Sequence, residues 1–205
     1  FGVQVGDPVA PAVSFQQDPV RGIMTGKAFD CRVGCLALLK AMKALADEEL
    51  AVDVIGVLSS QEEVGGRGAR VAARRVDPVI TLGFEGCPAD DTFTPDYAVQ
   101  SAMKKGPMIR LMDVSMITHP GLAHFAMNVC QAKEIPLQVA VRSGGGTNGG
   151  VYHSMQKGIP SITISIPSRY VHTPQGFAAM QDLEQAAQAV IEIVKALTPE
   201  LLGSL

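Results

Sequence analysis

The fold is most constrained by an alternation between short apolar segments rich in β-branched residues and longer segments with apolar residues at helical spacing. Strands are predicted at 50–58, 79–84, 109–112, 137–141 and 161–166, and helices at 34–49, 63–75, 120–134, 150–157 and 178–197. Such an alternation predicts an α/β fold in which a mixed, mostly parallel sheet carries helices on both faces. The first 20 residues, interrupted by proline and glycine, are predicted to be extended.

Composition excludes several classes of protein. The chain has 205 residues, with 17 Lys and Arg against 20 Asp and Glu, and no basic stripe of the kind that nucleic-acid binders carry. Its apolar runs are far shorter than the roughly 18 residues that a membrane span requires. The 4 cysteines show no CxxC spacing, which favours reduced thiols in a cytoplasmic protein. We therefore expect neither a nucleic-acid partner nor a membrane partner.

Polar and ionisable residues follow four of the predicted strands. They are residues 59–63, Glu85, the loop 142–148 and residues 168–172. Ligands of open α/β sheets bind outside the carboxyl ends of the strands. The sequence therefore predicts that these residues meet at one edge of the sheet.

Each of these residues also has a simpler explanation when it is taken alone. Glu62 and Glu63 could favour the N-terminus of the following helix, and Asp30 could be the N-cap of the first helix. Glu85 could be a solvated residue, and His172 could be a loop histidine that stacks on a tyrosine. Four unrelated coincidences at one edge are improbable, so we favour a shared site.

The residue types at these strand ends predict a metal site. Two or three carboxylates with a histidine suit a divalent ion such as zinc, cobalt or manganese. In a pair of adjacent glutamates, one carboxylate can bind the metal while its neighbour takes a proton from water. The glycine-rich loop 144–150 lacks the GK[ST] of a phosphate-binding loop, which favours a close backbone approach to a substrate or metal. Metal-assisted hydrolysis is the predicted reaction class.

The segments GKAFDCRVG, SSQEEVGGRGA, FEGCPADDTF, GGGTNGG and SIPSRYVHTP follow one another along essentially the whole chain. In this order they resemble the dinuclear-metal aminopeptidases of the tetrahedral aminopeptidase type, which include glutamyl and deblocking aminopeptidases. The resemblance implies a zinc-exopeptidase-like catalytic domain over 19–205. Residues 1–18 would be the end of an inserted β-rich dimerisation domain. It further implies a homo-oligomer, from dimer to dodecamer, that hydrolyses the N-terminal residue of peptides.

The same resemblance implies roles for five residues at the predicted site. Asp30 would bridge two divalent ions, zinc or cobalt, with manganese as an alternative. Glu63 and His172 would bind one ion, and Glu85 would bind the other. Glu62 would be the general base that activates the bridging water.

Supporting or substrate-binding residues are implied in two loops. Arg169 and Tyr170 belong to an RYxH stretch and are expected to shape the loop that carries His172. The glycine-rich loop contributes the candidates Gly146, Thr147 and Asn148.

The chain departs from the family pattern at three places. Cys31 stands where many members have an aspartate, and Asn148 stands where aspartate is common. The family draws a further histidine ligand from an N-terminal segment, whereas all 4 histidines here lie downstream of Asp30. The chain also begins at Phe1 without a methionine. We therefore expect a catalytic domain that lacks its N-terminal part, with at most one well-held metal and poor activity if that part is absent.

Two alternative functions remain open at this stage. A glycosidase with paired carboxylates is disfavoured because neighbouring residues place the carboxylates poorly for flanking a sugar, and because tryptophan is absent. A metal-poor homologue or fragment with a structural or binding role is the other alternative, and it is favoured by the missing histidine.

Overall fold

A computed structural model describes residues 1–205, in which seven strands form one mixed sheet. The strands are β1 (Gln16–Asp18), β2 (Ile23–Gly26), β3 (Thr81–Pro88), β4 (Met108–Met112), β5 (Gln138–Val141), β6 (Ser161–Arg169) and β7 (Gly176–Ala179). The helices are α1 (Phe29–Leu45), α2 (Arg67–Val76), α3 (Pro120–Ala132), α4 (Asn148–His153), α5 (Met180–Ala196) and α6 (Pro199–Ser204). The predicted α/β class is confirmed.

Strand β6 is the centre of the sheet and is buried along nearly all of its length. It pairs in parallel with β3 and antiparallel with β4 and β7. Successive side chains of a strand point to opposite faces. Ile162, Ile164 and Ile166 accordingly pack into the main core with α1, α3 and α5, while Thr163 faces Thr147 beside α4. Helices therefore cover both faces, as the sequence predicts.

Parallel pairing is less extensive than the sequence predicts. Only β3–β6 and β4–β5 are parallel, and the other four strand pairs are antiparallel. Part of the difference comes from β2 and β7, which the sequence patterns do not reveal. Each has only four residues, of which one is glycine, so neither shows a clear apolar period.

The prediction of a buried strand at 50–58 is wrong. The segment forms no strand pairing, and none of its residues is buried. Leu50 and Val54 pack against the edge of the main core, whereas the intervening Asp53 is exposed. A β-branched run favours an extended backbone, but a strand also requires a neighbour that pairs with its N–H and C=O groups.

Three predicted boundaries also move where they concern the site. Pairing with β6 extends β3 to Pro88, so Glu85 lies within the strand rather than after it. Strand β6 likewise continues to Arg169. Helix α2 begins at Arg67 rather than at residue 63, because Gly65 and Gly66 adopt left-handed φ values of 106° and 60°.

The N-terminal residues before β1 form no helix, as predicted, and no strand, and β1 joins the sheet by pairing with β2. The division between an inserted domain at 1–18 and a catalytic domain at 19–205 stays a prediction. None of the helices combines the length and the apolar character that a membrane crossing requires.

Candidate metal centre

Asp30 lies in the first turn of α1, directly against strand β3. Asp30 and Cys31 have non-helical backbone angles, and the residue before the helix, Ala28, makes no side-chain capping bond. A Cβ atom on Gly86 would lie 3.2 Å from the Asp30 Cα, so the glycine in β3 permits this close approach. The carboxylate of Asp30 is directed toward His172, with 3.0 Å between Oδ2 and Nε2. It therefore belongs to a cluster of ligand atoms rather than to a helix cap.

One group of potential ligands, here called the outer cluster, consists of Asp30, Glu63 and His172. Its ligand atoms lie within 4.8 Å of one another, and His172 Nε2 is 3.3 Å from Glu63 Oε2. The side chains of His172 and Glu63 are 69% and 57% exposed, whereas that of Asp30 is 15% exposed. His172 and Tyr170 both have left-handed backbones, with φ of 61° and 58°. Such strain in non-glycine residues is concentrated at functional sites.

A second group, the inner cluster, consists of Asp30, Cys31 and Glu85, again with ligand atoms within 4.8 Å of one another. Glu85 is only 7% exposed, and its carboxylate accepts a hydrogen bond of 3.1 Å from the backbone N–H of Gly86. Burial, reinforced by the charge of Asp30, raises the pKa of Glu85 to about 8. Burial and the neighbouring Glu85 also raise the pKa of the Cys31 thiol.

The two clusters share Asp30, and this is the arrangement that two neighbouring cations would require. No lysine or arginine within residues 1–205 forms an ion pair with Asp30, Glu63 or Glu85. Buried carboxylates without a cationic partner are costly, and metal ions are one way to compensate them. Carboxylate, imidazole and thiol donors at these separations fit divalent metal ions.

Glu62 lies beside both clusters without belonging to either. It is half-buried, and the pKa of its carboxyl is raised by burial and then by the charges of Glu63 and Asp30. Its backbone carbonyl accepts hydrogen bonds from the N–H groups of Gly65 and Gly66. Glu62 and Glu63 thus lie in a turn several residues before α2, and they do not cap that helix.

The loop that carries His172 is held in place by contacts of Arg169 and of Tyr170. Arg169 makes a two-point contact with Asp91, with Nε–Oδ1 and Nη2–Oδ2 distances of 3.1 and 2.9 Å. The Tyr170 ring packs edge-on against Phe177 at a centroid separation of 5.4 Å, so it does not stack on His172. Sequence reasoning missed Asp91, although it lies in the quoted motif FEGCPADDTF.

The three candidates in the glycine-rich loop contact other parts of the protein rather than either cluster. Thr147 caps α4 by accepting a hydrogen bond from the Gly149 N–H, and Asn148 Nδ2 donates to Ser59 Oγ at 3.0 Å. A Cβ atom on Gly146 would contact Ser115 at 3.0 Å. The loop is therefore joined to the segment that leads into Glu62.

Comparison with known proteins decides the family. Residues 1–188 match the family described as M42 glutamyl aminopeptidase. The chain belongs to this family. The glutamyl aminopeptidase of Lactococcus lactis is 32% identical over 205 residues, which are 100% of this chain and 57% of that protein.

Solved structures give the same result. The TET aminopeptidase of a marine sediment Thaumarchaeota archaeon is 38% identical, with a TM-score of 0.95 over 99% of this chain and 58% of its own. The TET1 peptidase of Pyrococcus horikoshii, which can assemble into a tetrahedron or a large octahedral shell, is 27% identical with a TM-score of 0.80. That match covers 91% of this chain and 54% of the TET1 chain. The chain thus spans a little over half the length of the relatives it matches.

Proposed function

We propose that this chain carries the metal centre of an aminopeptidase, which hydrolyses the N-terminal residue of peptides. The observation that carries the proposal is the position of Asp30, which belongs to two groups of ligand atoms, each within 4.8 Å. Family membership supports peptide hydrolysis, and the ligand types support a metal-dependent reaction.

The outer cluster would hold one divalent ion through Glu63 and His172, and the inner cluster would hold a second through Glu85. Asp30 would contribute to both positions. When bound, such ions supply Lewis acidity, which polarises a carbonyl oxygen and lowers the pKa of water. Zinc or cobalt is the proposed metal, because carboxylate and imidazole donors together suit borderline ions.

Glu62 is the proposed general base. Its carboxylate lies next to the outer cluster and has no ion-pair partner, so it remains available to accept a proton from water. The same carboxylate can then donate that proton to the amine that leaves the cleaved peptide bond. Its neighbour Glu63 faces His172, so the two adjacent glutamates have different surroundings.

The outer cluster also offers an approach for a peptide. Both His172 and Glu63 are more than half exposed, whereas Glu85 is enclosed by the packing of α1 on β3. Substrate would therefore enter from the side of the outer cluster. A glycosidase needs two carboxylates that flank a sugar at about 5–9.5 Å. Here the carboxylates of Asp30 and Glu63 both contact His172 Nε2, at 3.0 and 3.3 Å. This spacing favours metal binding over glycoside hydrolysis.

Homo-oligomeric assembly and a cytoplasmic location are part of the same proposal. Assembly is supported by the tetrahedral and octahedral particles of the Pyrococcus horikoshii TET1 peptidase. The location is supported by the four cysteines, none of which forms a disulfide.

The function is tested with purified protein from which metal has been removed by a chelator and then restored. We expect aminoacyl anilides to be cleaved only after zinc or cobalt is added back. Glu62→Gln should retain the metal but lose activity by about 10²–10⁴-fold, the usual contribution of general acid–base catalysis. Glu49→Gln, at an exposed glutamate after the end of α1 and outside both clusters, is the matched control and should retain activity.

Cleavage that persists in the chelator, or full activity of Glu62→Gln, would overturn the proposal. Protein that takes up no zinc or cobalt when these are added, but still binds partners, would support the structural alternative instead.

A further inference from the structure

We propose that Cys31 is itself a metal ligand, so that the inner cluster holds its ion through one thiolate and the carboxylates of Asp30 and Glu85. This inference rests on the proposed metal centre and names a donor that distinguishes this chain from relatives with aspartate at the same position. It therefore assigns a mixed sulfur–oxygen character to one of the two positions.

The geometry of the inner cluster supports a thiolate ligand. The Cys31 Sγ and one oxygen each of Asp30 and Glu85 lie within 4.8 Å of one another. Zinc–sulfur bonds of about 2.3 Å and zinc–oxygen bonds of about 2.1 Å place two donors of a tetrahedral ion roughly 3.6 Å apart. Small side-chain rotations would therefore bring all three donors onto a single ion.

The position of the sulfur is set by the helix–strand contact. Gly34, one turn after Cys31, has no side chain, and a Cβ atom there would collide with the sulfur and approach Phe84 to 3.1 Å. The thiol makes a long contact of 3.7 Å with the Phe84 carbonyl oxygen and also interacts with the Glu85 carboxylate. It is thus directed toward Glu85.

The other three cysteines lack these surroundings. Cys35 is exposed one turn further along α1, Cys87 contacts Ser101 at 3.4 Å, and Cys130 is buried in the main core. None of them belongs to a group of three potential metal ligands. Cys31 is therefore the one cysteine with two carboxylates at ligand distance.

The buried carboxylate of Glu85 also favours a cation in the inner cluster. Glu85 is 93% buried, is directed into the inner cluster, and has no lysine, arginine or histidine in an ion pair. A divalent ion would balance the negative charge that the Glu85 carboxylate carries when it is ionised. On binding, the S–H bond of Cys31 would break, a sulfur–metal bond would form, and the proton would pass to solvent, with no change of oxidation state.

A thiolate changes which metals the position prefers. Sulfur ligands favour zinc and other thiophilic ions, whereas sites made only of carboxylate and water accept manganese and magnesium. We therefore expect the inner position to select zinc strongly over manganese. Cys31→Asp, which restores the carboxylate that relatives carry, should shift this preference toward manganese.

X-ray absorption at the zinc edge tests the inference directly on the zinc-loaded protein. We expect a sulfur shell at about 2.3 Å that corresponds to one sulfur for every two zinc ions. This shell should be absent in Cys31→Ser and unchanged in Cys35→Ser, the matched control one helical turn away. A wild-type spectrum with only nitrogen and oxygen shells, or a sulfur shell that persists in Cys31→Ser, would overturn the proposal.

A second measurement requires no variant. Zinc should protect Cys31 from alkylation while leaving the exposed Cys35 reactive, as read by mass spectrometry of peptides after labelling. Equal labelling of Cys31 with and without bound zinc would contradict the inference.

If zinc binds and activity is normal while no sulfur shell is found, the thiolate ligand is refuted but the aminopeptidase proposal stands. If zinc fails to bind at all, both are refuted.

Discussion

The inner and outer clusters share one carboxylate but are built in different ways. The inner cluster is formed by packing: Gly34 and Gly86 let α1 approach β3, and this contact buries Glu85 beside Cys31. The outer cluster is formed by a turn and a loop, which present Glu63 and His172 to solvent. Under the proposed function, the inner position would hold its metal more tightly and the outer position would meet the substrate.

The largest expected effect comes from removing the residue that joins the two clusters. Asp30→Asn should lower the metal content of both positions and reduce activity by about 10³-fold or more, because bound metals supply several kcal/mol of transition-state stabilisation. Elemental analysis and peptide hydrolysis would measure this. Retention of two metals per chain in Asp30→Asn would show that the clusters do not depend on Asp30.

The next effect separates the two clusters. Glu85→Gln should release metal from the inner position, whereas Glu63→Gln should weaken the outer one, so each variant should bind about one equivalent of zinc by calorimetric titration. Because the inner ligands are buried, we expect the tighter of the two sites to be lost in Glu85→Gln. Loss of the tighter site in Glu63→Gln instead would reverse the assignment of the two positions.

Burial of Glu85 also predicts how the metal-free protein responds to pH. Its folded-state pKa of about 8 lies above the ordinary value of 4.5, so the folded state retains a proton that the unfolded state has lost. The free energy of unfolding should therefore fall as pH rises toward 8, by about 2 kcal/mol between pH 6.5 and 9.

Urea unfolding in the presence of a chelator measures this dependence. Glu85→Gln should remove that share of the decrease, since glutamine does not titrate. The same slope in wild-type protein and in Glu85→Gln would show that Glu85 is not the group responsible.

The smallest expected effect concerns the loop that carries His172. Asp91→Asn should break the two-point contact with Arg169 and reduce metal affinity at the outer position by about 10-fold, as loss of supporting contacts around metal ligands usually does. The inner position should be unaffected. The exposed Arg21–Asp18 pair supplies the control: Arg21→Ala should change neither position, because surface ion pairs contribute little.

Much of the candidate site could be predicted from the sequence. Residue type and position after predicted strands group Glu63, Glu85 and His172, although the segment before Glu63 forms no strand, and the family resemblance adds Asp30. Their roles as ligands stay predictions. The α/β class followed from the alternation of apolar patterns, which local sequence determines.

The remaining features depend on contacts between distant parts of the chain. Cys31 was noted only as a departure from the family pattern, because its closeness to Glu85 depends on how α1 packs against β3. The Arg169–Asp91 contact joins residues 78 positions apart. Segment 50–58 has the composition of a strand, but composition does not specify whether a pairing neighbour is present.

Anomalous diffraction from a zinc-loaded crystal would test the central claim most directly. We predict two zinc peaks on either side of the Asp30 carboxylate, one next to Glu63 and His172 and the other next to Glu85 and Cys31. Zinc peaks that lie away from Asp30, or a single peak that contacts neither cluster, would contradict it.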